Sequence, residues 1–390
     1  MTDNVFILGA GASFDAGIPL MAGFVDRMWE FAIRGKNGAD LLSGEDAVIF
    51  KNAILARDEL NKYHGRAAFN DRNIEDILSI LTFSAMESRS TAKTHLKAIT
   101  KAISRTIELS CNVKHSGKLD TIESVGPEVY RDFWRALFKW SSNGNKMPTI
   151  ISFNYDLVLE RSLLQGLIQR EGDAYLSSNN KGISLKYFYE SLEEISYELV
   201  KCRFDDYEKP GIVTGTILRQ CRQQDESNNY RALELLKLHG SLNFPKKKVN
   251  IENVDITETL EEPFILPPIF NKAINQSGQK MWSIAMERLR KAKNICFVGY
   301  SLPKTDIYMQ YFLKAALGPN LDLNKIFVFD PILFRNDNST REMEDRFASC
   351  FSPQLKNRID SRPEMRRVNP DGTFTHFTEL LKRFPDTLLF

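Results

Sequence analysis

The chain has 390 residues, 43% of them hydrophobic and 26% charged, as is typical of a folded globular protein that can bury a large core. Its formal net charge of +2 gives no reason to expect direct nucleic-acid binding, and its five scattered cysteines lack the CxxC spacing of a structural zinc site. No leader features precede the first apolar segment and no apolar run reaches the ~20 residues of a membrane span, so we expect a cytoplasmic protein without a membrane anchor.

Short apolar runs predict buried β-strands. They comprise residues 5–10, 149–153, 294–298 and 325–329, with weaker candidates at 235–238 and 264–266. Continuous apolar strands are typical of a parallel sheet that is covered on both faces, and helical segments follow most of these runs. We therefore predict an α/β protein with a doubly wound, Rossmann-like parallel sheet.

The stretch between the first two strands has helical periodicity. One apolar helix face in it comprises Ile74, Ile77, Leu78 and Leu81. We predict that residues 22–145 form a large helical insertion or lid within one α/β domain of residues 1–335. The polar stretch 205–230 predicts loops with broken helix, and residues 336–390 predict a C-terminal extension of helix and loop.

A glycine-rich segment, GAGASFDAGIP, follows the first predicted strand. Its candidate nucleotide-binding residues are Gly9, Ala10, Gly11, Ser13 and Pro19. Glycines at a strand-to-helix turn let the backbone approach a pyrophosphate, whose charge then lies at a helix N-terminus. Phe14 stands where the dehydrogenase fingerprint G-x-G-x-x-G has its third glycine, so a merely tight turn is an open alternative for the GxG alone.

Asn154 and Asp156 lie just after the strand predicted at residues 149–153. In an open parallel sheet, ligands bind outside the carboxyl ends of the strands, where an amide and a carboxylate can orient a ribose, a carboxamide or a water. Taken alone, such a pair is more often a helix cap that follows a strand.

His239 lies in the segment LHGS, after an apolar run. Unperturbed imidazole titrates near pH ~6.5, so histidine is the natural general base at neutral pH. An isolated histidine is more often structural. His64 also precedes a glycine, but in a polar context with no strand before it.

The two last predicted strands also end in polar segments. The candidate residues are Gly299, Tyr300, Ser301 and Leu302 in VGYSLP, and Asp330 before a proline. The functional interpretation is a second backbone cradle that faces the first and contacts ribose or adenine, with Asp330 accepting hydrogen bonds there. The alternative interpretation is a strand that runs into a turn.

Together, these segments resemble the sirtuin family. GAGASFDAGIP is similar to the sirtuin nucleotide-binding signature, and FNYD to the segment whose Asn and Asp hold the nicotinamide ribose. LHGS is similar to the segment of the catalytic histidine, and VGYSLP to an element that contacts the cofactor. The segments occur in the family order. The resemblance implies NAD⁺ as the substrate, Asn154 and His239 as catalytic residues, and the other candidates as cofactor-binding residues.

Two departures from sirtuin deacylases matter for the activity. Leu20 and Met21 follow GIP where the deacylases have Asp-Phe-Arg, and the paired cysteines of their zinc module are absent. The pattern instead resembles zinc-free sirtuin-like proteins of bacterial antiphage systems, which act as NAD⁺ hydrolases. This implies a metal-free, regulated enzyme that depletes NAD⁺ and yields nicotinamide and ADP-ribose. It also implies a homo-oligomer, with a HerA-type ATPase as a candidate partner.

Other functions stay open at this point. They are a non-catalytic sensor subunit that binds NAD⁺ or ADP-ribose, an ADP-ribosyl transferase or deacylase, and a structural subunit of a larger assembly. His239 together with Asn154 argues against a pure binder, which does not need both side chains. Loss of the Asp-Phe-Arg and zinc elements argues against deacylation.

Overall fold

A computed structural model gives the fold over residues 3–37, 40–63, 69–87, 90–114, 126–168, 182–205, 212–221, 230–249, 254–266, 276–304, 306–335, 337–352, 358–360 and 373–389. Its strands form one large sheet and two small antiparallel pairs, β2 with β3 and β9 with β10. In chain order they are β1 (Asn4–Leu8), β2 (Lys36–Asn37), β3 (Asp40–Leu41), β4 (Thr149–Ser152), β5 (Gly182–Tyr189), β6 (Leu192–Asp205), β7 (Ile212–Cys221), β8 (Tyr230–Lys237), β9 (Gly240–Pro245), β10 (Pro263–Ile265), β11 (Asn294–Val298), β12 (Lys325–Phe329) and β13 (Ile359–Asp360).

Over the described residues the large sheet has nine strands in the order β13-β12-β11-β1-β4-β8-β5-β6-β7. The strands from β13 to β5 in this order run parallel, whereas β6 is antiparallel to both of its neighbours. Every residue of β1, β4 and β11 is buried, as expected for strands with both faces covered. The predicted α/β class with a mostly parallel, Rossmann-like sheet is confirmed.

The helices are α1 (Met21–Arg34), α2 (Gly44–Tyr63), α3 (Ile74–Met86), α4 (Ser90–Ser110), α5 (Val129–Ser142), α6 (Val158–Gly166), α7 (Gln276–Lys291), α8 (Ile307–Leu317), α9 (Asn338–Cys350), α10 (Thr373–Arg383) and α11 (Pro385–Leu389). Helices α1 to α5 lie between β1 and β4 in the chain, which confirms the large helical insertion. The apolar face predicted for α3 is buried, and α2 and α3 both pack on α4. A lid function for these helices stays a prediction. No helix in the described ranges is long and apolar enough to cross a membrane.

The strands at 294–298 and 325–329 lie where the sequence predicts them. The prediction of loops and broken helix for residues 205–230 is wrong in its described part, because β6 reaches Asp205 and β7 covers Ile212–Cys221. The many polar residues of this stretch suggested a loop. However, β7 is rich in β-branched residues, which favour strands, and it pairs along its length with β6 at the edge of the sheet.

The C-terminal segment contributes to the same hydrophobic core as the sheet. Phe377 of α10 packs against Phe6 of β1 with 5.1 Å between ring centroids, and Phe374 lies at the same distance from Phe133 of α5. Strand β13 extends the sheet by pairing with β12. Since α10 also contacts the turns that follow β1, it lies behind the predicted nucleotide loop.

Candidate functional site

A cavity opens at the carboxyl edge of the parallel sheet. The loops after β1, β4, β8 and β11 form it, and helices α1, α3 and α4 add side chains. The predicted site residues that line it are Gly9, Ala10, Ser13, Pro19, Asn154, Asp156, His239, Gly299, Tyr300 and Ser301. The fold therefore brings all four motif segments to one place, where open parallel sheets bind their ligands.

The loops after β1 and β11 pack backbone against backbone. The amide of Gly9 donates to the Val298 carbonyl at 3.0 Å, and that of Gly11 donates to the Gly299 carbonyl at 2.9 Å. A Cβ on Gly9 would lie 2.5 Å from the Gly299 oxygen, and a Cβ on Gly299 would lie 2.3 Å from the Ala12 nitrogen. Gly299 also has a φ of +63°, a conformation that favours glycine. These glycines are thus required by the close approach of the two loops.

The segment after β1 does not run directly into an α-helix. It forms two short 3₁₀ turns, Ala10–Ala12 and Phe14–Ala16, and α1 begins only at Met21. Gly17, with a φ of +86°, ends the second turn. The expectation that the glycines lie at the N-terminus of the following helix is therefore wrong, because a left-handed glycine and then Pro19 interrupt the helix.

Several backbone amides of this segment already have partners within the protein. The donors are those of Gly9, Gly11, Ala12 and Ser13, at 2.9 to 3.1 Å from their acceptors. In this conformation they do not point their hydrogens at a ligand. The space left by the absent side chains of Gly9 and Gly11 is filled by the loop after β11, so it is not open to a pyrophosphate either.

The polar side chains after β4 are tied to the loop after β1. The amide nitrogen of Asn154 donates to the Ser13 hydroxyl and to the Gly9 carbonyl, both at 2.8 Å. The Ser13 hydroxyl in turn donates to Asp156 Oδ2 at 2.7 Å. The other oxygen of Asp156 accepts from the Val158 amide at 3.1 Å, at the start of α6. Asp156, just before the N-cap Leu157, thus accepts from the first amide of α6 and orients Ser13, whereas Asn154 holds the two loops together.

His239 follows β8 and is 7% exposed. Its ring centroid lies 5.0 Å from that of Phe153 and 6.4 Å from that of Tyr155. Its carbonyl accepts from the Leu266 amide at 2.7 Å, and Gly240 after it has a φ of +87°. The chain therefore turns sharply behind His239 and packs its ring against aromatic side chains at the wall of the cavity.

Three predicted residues are not in the cavity wall. Gly11 packs against Gly299, and Leu302 is fully buried with a φ of +48°. Asp330 is 7% exposed, and its carboxylate accepts from the Ile332 amide at 2.9 Å, which caps the 3₁₀ turn after β12. Burial raises the pKa of this carboxyl. In this structure Leu302 and Asp330 support the turns on which the site is built.

The cavity also contains acidic residues that the motifs did not indicate. Asp306 lines it, accepts from the Tyr300 hydroxyl at 3.0 Å and caps α8 through the Met309 amide at 3.3 Å. Glu75, in the first turn of α3, lines it as well, and none of the described lining residues is lysine or arginine. Burial and then the carboxylate of Asp306 raise the pKa of Tyr300, which keeps its hydroxyl protonated. An Asp shortly after SLP and just before a helix is a recognisable cap signal, whereas no pattern around Glu75 places it here.

Within the described ranges, no group of three or more His, Cys, Asp or Glu side chains is arranged to hold a metal ion. The expectation of a metal-free site stays a prediction.

No protein-family model matches this chain. A comparison with curated proteins also finds no significant match. What the site does is therefore inferred from its own residues and from the motif resemblance.

Proposed function

We propose that this chain is an NAD⁺ glycohydrolase, which cleaves the bond between nicotinamide and ribose to give nicotinamide and ADP-ribose. The observation that carries the proposal is the meeting of Asn154 and His239 in one cavity beside the glycine loop after β1. They follow β4 and β8, which are neighbours in the sheet. An amide and an imidazole on adjacent strand ends suit a reaction that needs an oriented sugar and a proton acceptor.

The role proposed for Asn154 follows from its hydrogen bonds. Both partners of its side-chain nitrogen belong to the loop after β1, at 2.8 Å each. The side-chain orientation is therefore fixed, and Oδ1 is the atom that can accept from a ribose hydroxyl or from the attacking water. Such positioning lowers the entropy cost of bringing water to the anomeric carbon.

His239 is proposed as the general base. As the bond from the anomeric carbon to nicotinamide breaks, its electron pair goes to the ring nitrogen, and nicotinamide leaves as a neutral molecule. A water oxygen bonds to the anomeric carbon and its proton passes to the imidazole. General base assistance contributes roughly 10²–10⁴-fold to such a rate. The aromatic packing of His239 against Phe153 supports this role because it fixes the ring at the cavity wall.

The charge of the lining supports one orientation of the substrate. Glu75, Asp156 and Asp306 supply carboxylates, and the described lining contains no basic side chain besides His239. Carboxylates attract the cationic nicotinamide ring and the positive charge that develops on the ribose, and they repel a pyrophosphate. The cavity measures about 190 Å³, below the roughly 300–1,000 Å³ of typical ligand pockets. We infer that the nicotinamide end enters the cavity while the rest of the dinucleotide lies along the loop after β1.

A non-catalytic nucleotide sensor is the second candidate function. It is favoured by the internal hydrogen bonds of Asn154, Asp156 and the loop amides, since these suit a rigid binding site as well as a catalytic one. A homo-oligomer, a HerA-type ATPase partner and a role in antiphage NAD⁺ depletion are further proposals that rest on the motif resemblance.

The test is NAD⁺ consumption by the purified protein, with products separated by chromatography. His239→Ala and Asn154→Ala should abolish the release of nicotinamide and ADP-ribose. His95→Ala is the matched control, because His95 lies on α4 beside Glu59 and does not line the cavity. Full turnover by folded His239→Ala would refute its role. Binding of NAD⁺ without any turnover, with and without a candidate ATPase, would favour the sensor.

A further inference from the structure

A buried ion pair adjoins the candidate site. Lys237 ends β8, two residues before His239, and Glu160 lies in the first turn of α6, four residues after Asp156. The Lys237 ammonium lies 3.0 Å from Glu160 Oε1, and the two side chains are 2% and 1% exposed. The same ammonium donates to the backbone carbonyl of Asp156. One side chain therefore joins the strand that carries His239 to the loop that carries Asn154.

Stability alone does not account for this pair. The second carboxylate oxygen of Glu160 is buried without a hydrogen-bond partner among the described residues. The other oxygen, Oε1, accepts hydrogen bonds from the Lys237 ammonium and, at 3.4 Å, from the Tyr187 hydroxyl. Burial raises the pKa of Glu160, and Lys237 only opposes that rise. A buried pair with an unsatisfied oxygen is a weak stabiliser, and apolar side chains of similar volume often serve the fold as well.

The pair borders the polar side chains of the site. A small internal cavity is lined by both partners together with Ser13, Asn154 and Asp156. The backbone also connects the two segments, since the Leu238 amide donates to the Ser152 carbonyl at 3.0 Å. Lys237 thus adds a side-chain connection between the segments after β4 and β8, beyond the last backbone hydrogen bonds of the two strands.

We propose that Lys237 is a positioning residue, whose bonds to the Asp156 carbonyl and to Glu160 set the separation of Asn154 and His239. The inference rests on the proposed function, because that separation matters for turnover only if both residues act on one substrate. A displacement of about 1 Å in such a site can lower turnover by roughly 10²-fold.

The test removes both partners of the ion pair together and compares this double variant with the wild type. Lys237→Met alone would leave the Glu160 carboxylate buried and unpaired, so the informative change is Lys237→Met combined with Glu160→Leu. This double variant should unfold near the wild-type temperature, yet its kcat should fall by roughly 10- to 10²-fold with a small change in KM. Glu160→Gln alone would leave the Lys237 ammonium buried without its carboxylate, so it is no more informative than Lys237→Met alone.

A second ion pair on β8 provides the control. Glu234 accepts from Arg288 at 2.7 and 2.8 Å and does not line the cavity. Replacing both partners, with Glu234→Leu and Arg288→Met, should leave kcat unchanged. Wild-type kcat in the Lys237→Met, Glu160→Leu variant would overturn the proposal, and so would an equal loss in the control pair.

The outcomes separate this inference from the proposed function. If the wild type does not consume NAD⁺, the proposed function has failed, and crystal structures of the wild type and the double variant then decide the inference. An unchanged separation of the Asn154 and His239 side chains would overturn it. A change in that separation would support it independently of turnover.

Discussion

Gly299→Ala tests whether the two loops of the site need their close backbone contact. The added Cβ would lie 2.3 Å from the Ala12 nitrogen and 2.6 Å from the Gly11 Cα, so the backbone itself would have to move. We expect about 1–2 kcal/mol of destabilisation from the left-handed φ and a further ~1–3 kcal/mol from the overpacking. Urea unfolding monitored by circular dichroism measures the sum.

Gly35→Ala separates these two contributions. Gly35 has a φ of +60°, close to the +63° of Gly299, but a Cβ there meets nothing within 4 Å. The Gly35→Ala variant should therefore lose only the ~1–2 kcal/mol of folding stability that the left-handed backbone conformation costs a residue with a Cβ. If Gly299→Ala destabilises the protein no more than Gly35→Ala does, the close packing of the loops is not what requires a glycine at this position.

Two further predictions concern neighbours of the site and of β8. Tyr130→Phe removes a buried hydroxyl that donates to the Ala12 carbonyl, in the loop after β1, at 3.0 Å. The free energy of unfolding should therefore fall by about 1 kcal/mol, and NAD⁺ titration should show weaker binding. No change in either measurement would contradict this prediction. Burial tends to raise the pKa of Glu234, but hydrogen bonds from Arg288 and Thr149 outweigh it and lower that pKa. The stabilisation is therefore present above the unfolded value of ~4.3 and is lost as pH falls through the folded pKa. Glu234→Gln should flatten the acid dependence of urea unfolding as pH falls from ~5 through the lowered pKa of Glu234, and an unchanged slope would refute this prediction.

The central strands could be predicted because their whole environment is apolar. Strands β11 and β12 have both faces covered, so their sequences are continuous apolar runs with turn residues at the end. Strand β7 lies at the edge of the described sheet and pairs with β6 along its length, and its sequence interrupts the β-branched residues with Gly215, Arg219 and Gln220. Composition alone therefore gave a loop for it.

Some residues of the candidate site could be predicted from the sequence, and others could not. Asn154 and His239 directly follow strands of the parallel sheet, so the strand prediction also placed them at its carboxyl edge. Glu75 reaches the cavity through the packing of α3, which depends on contacts between distant parts of the chain. Asp330 also follows a parallel strand, but its carboxylate is used by the turn that comes next. A position after a parallel strand thus brings a residue near the site, but it does not decide which group the side chain contacts.

Asp156 shows why a structural role at a helix start and a functional role do not exclude each other. Helix α6 begins at Val158, six residues after the end of β4 at Ser152, so the loop that leads into it lies at the edge where ligands bind. One oxygen of Asp156 accepts from the helix and the other accepts from Ser13, whose hydroxyl receives the Asn154 amide. Asp156 therefore links the start of α6 to the proposed catalytic amide through two hydrogen bonds, from Asn154 to Ser13 and from Ser13 to Asp156. A loss of turnover on changing Asp156 would accordingly report a displaced Asn154 as readily as a direct contact with the substrate.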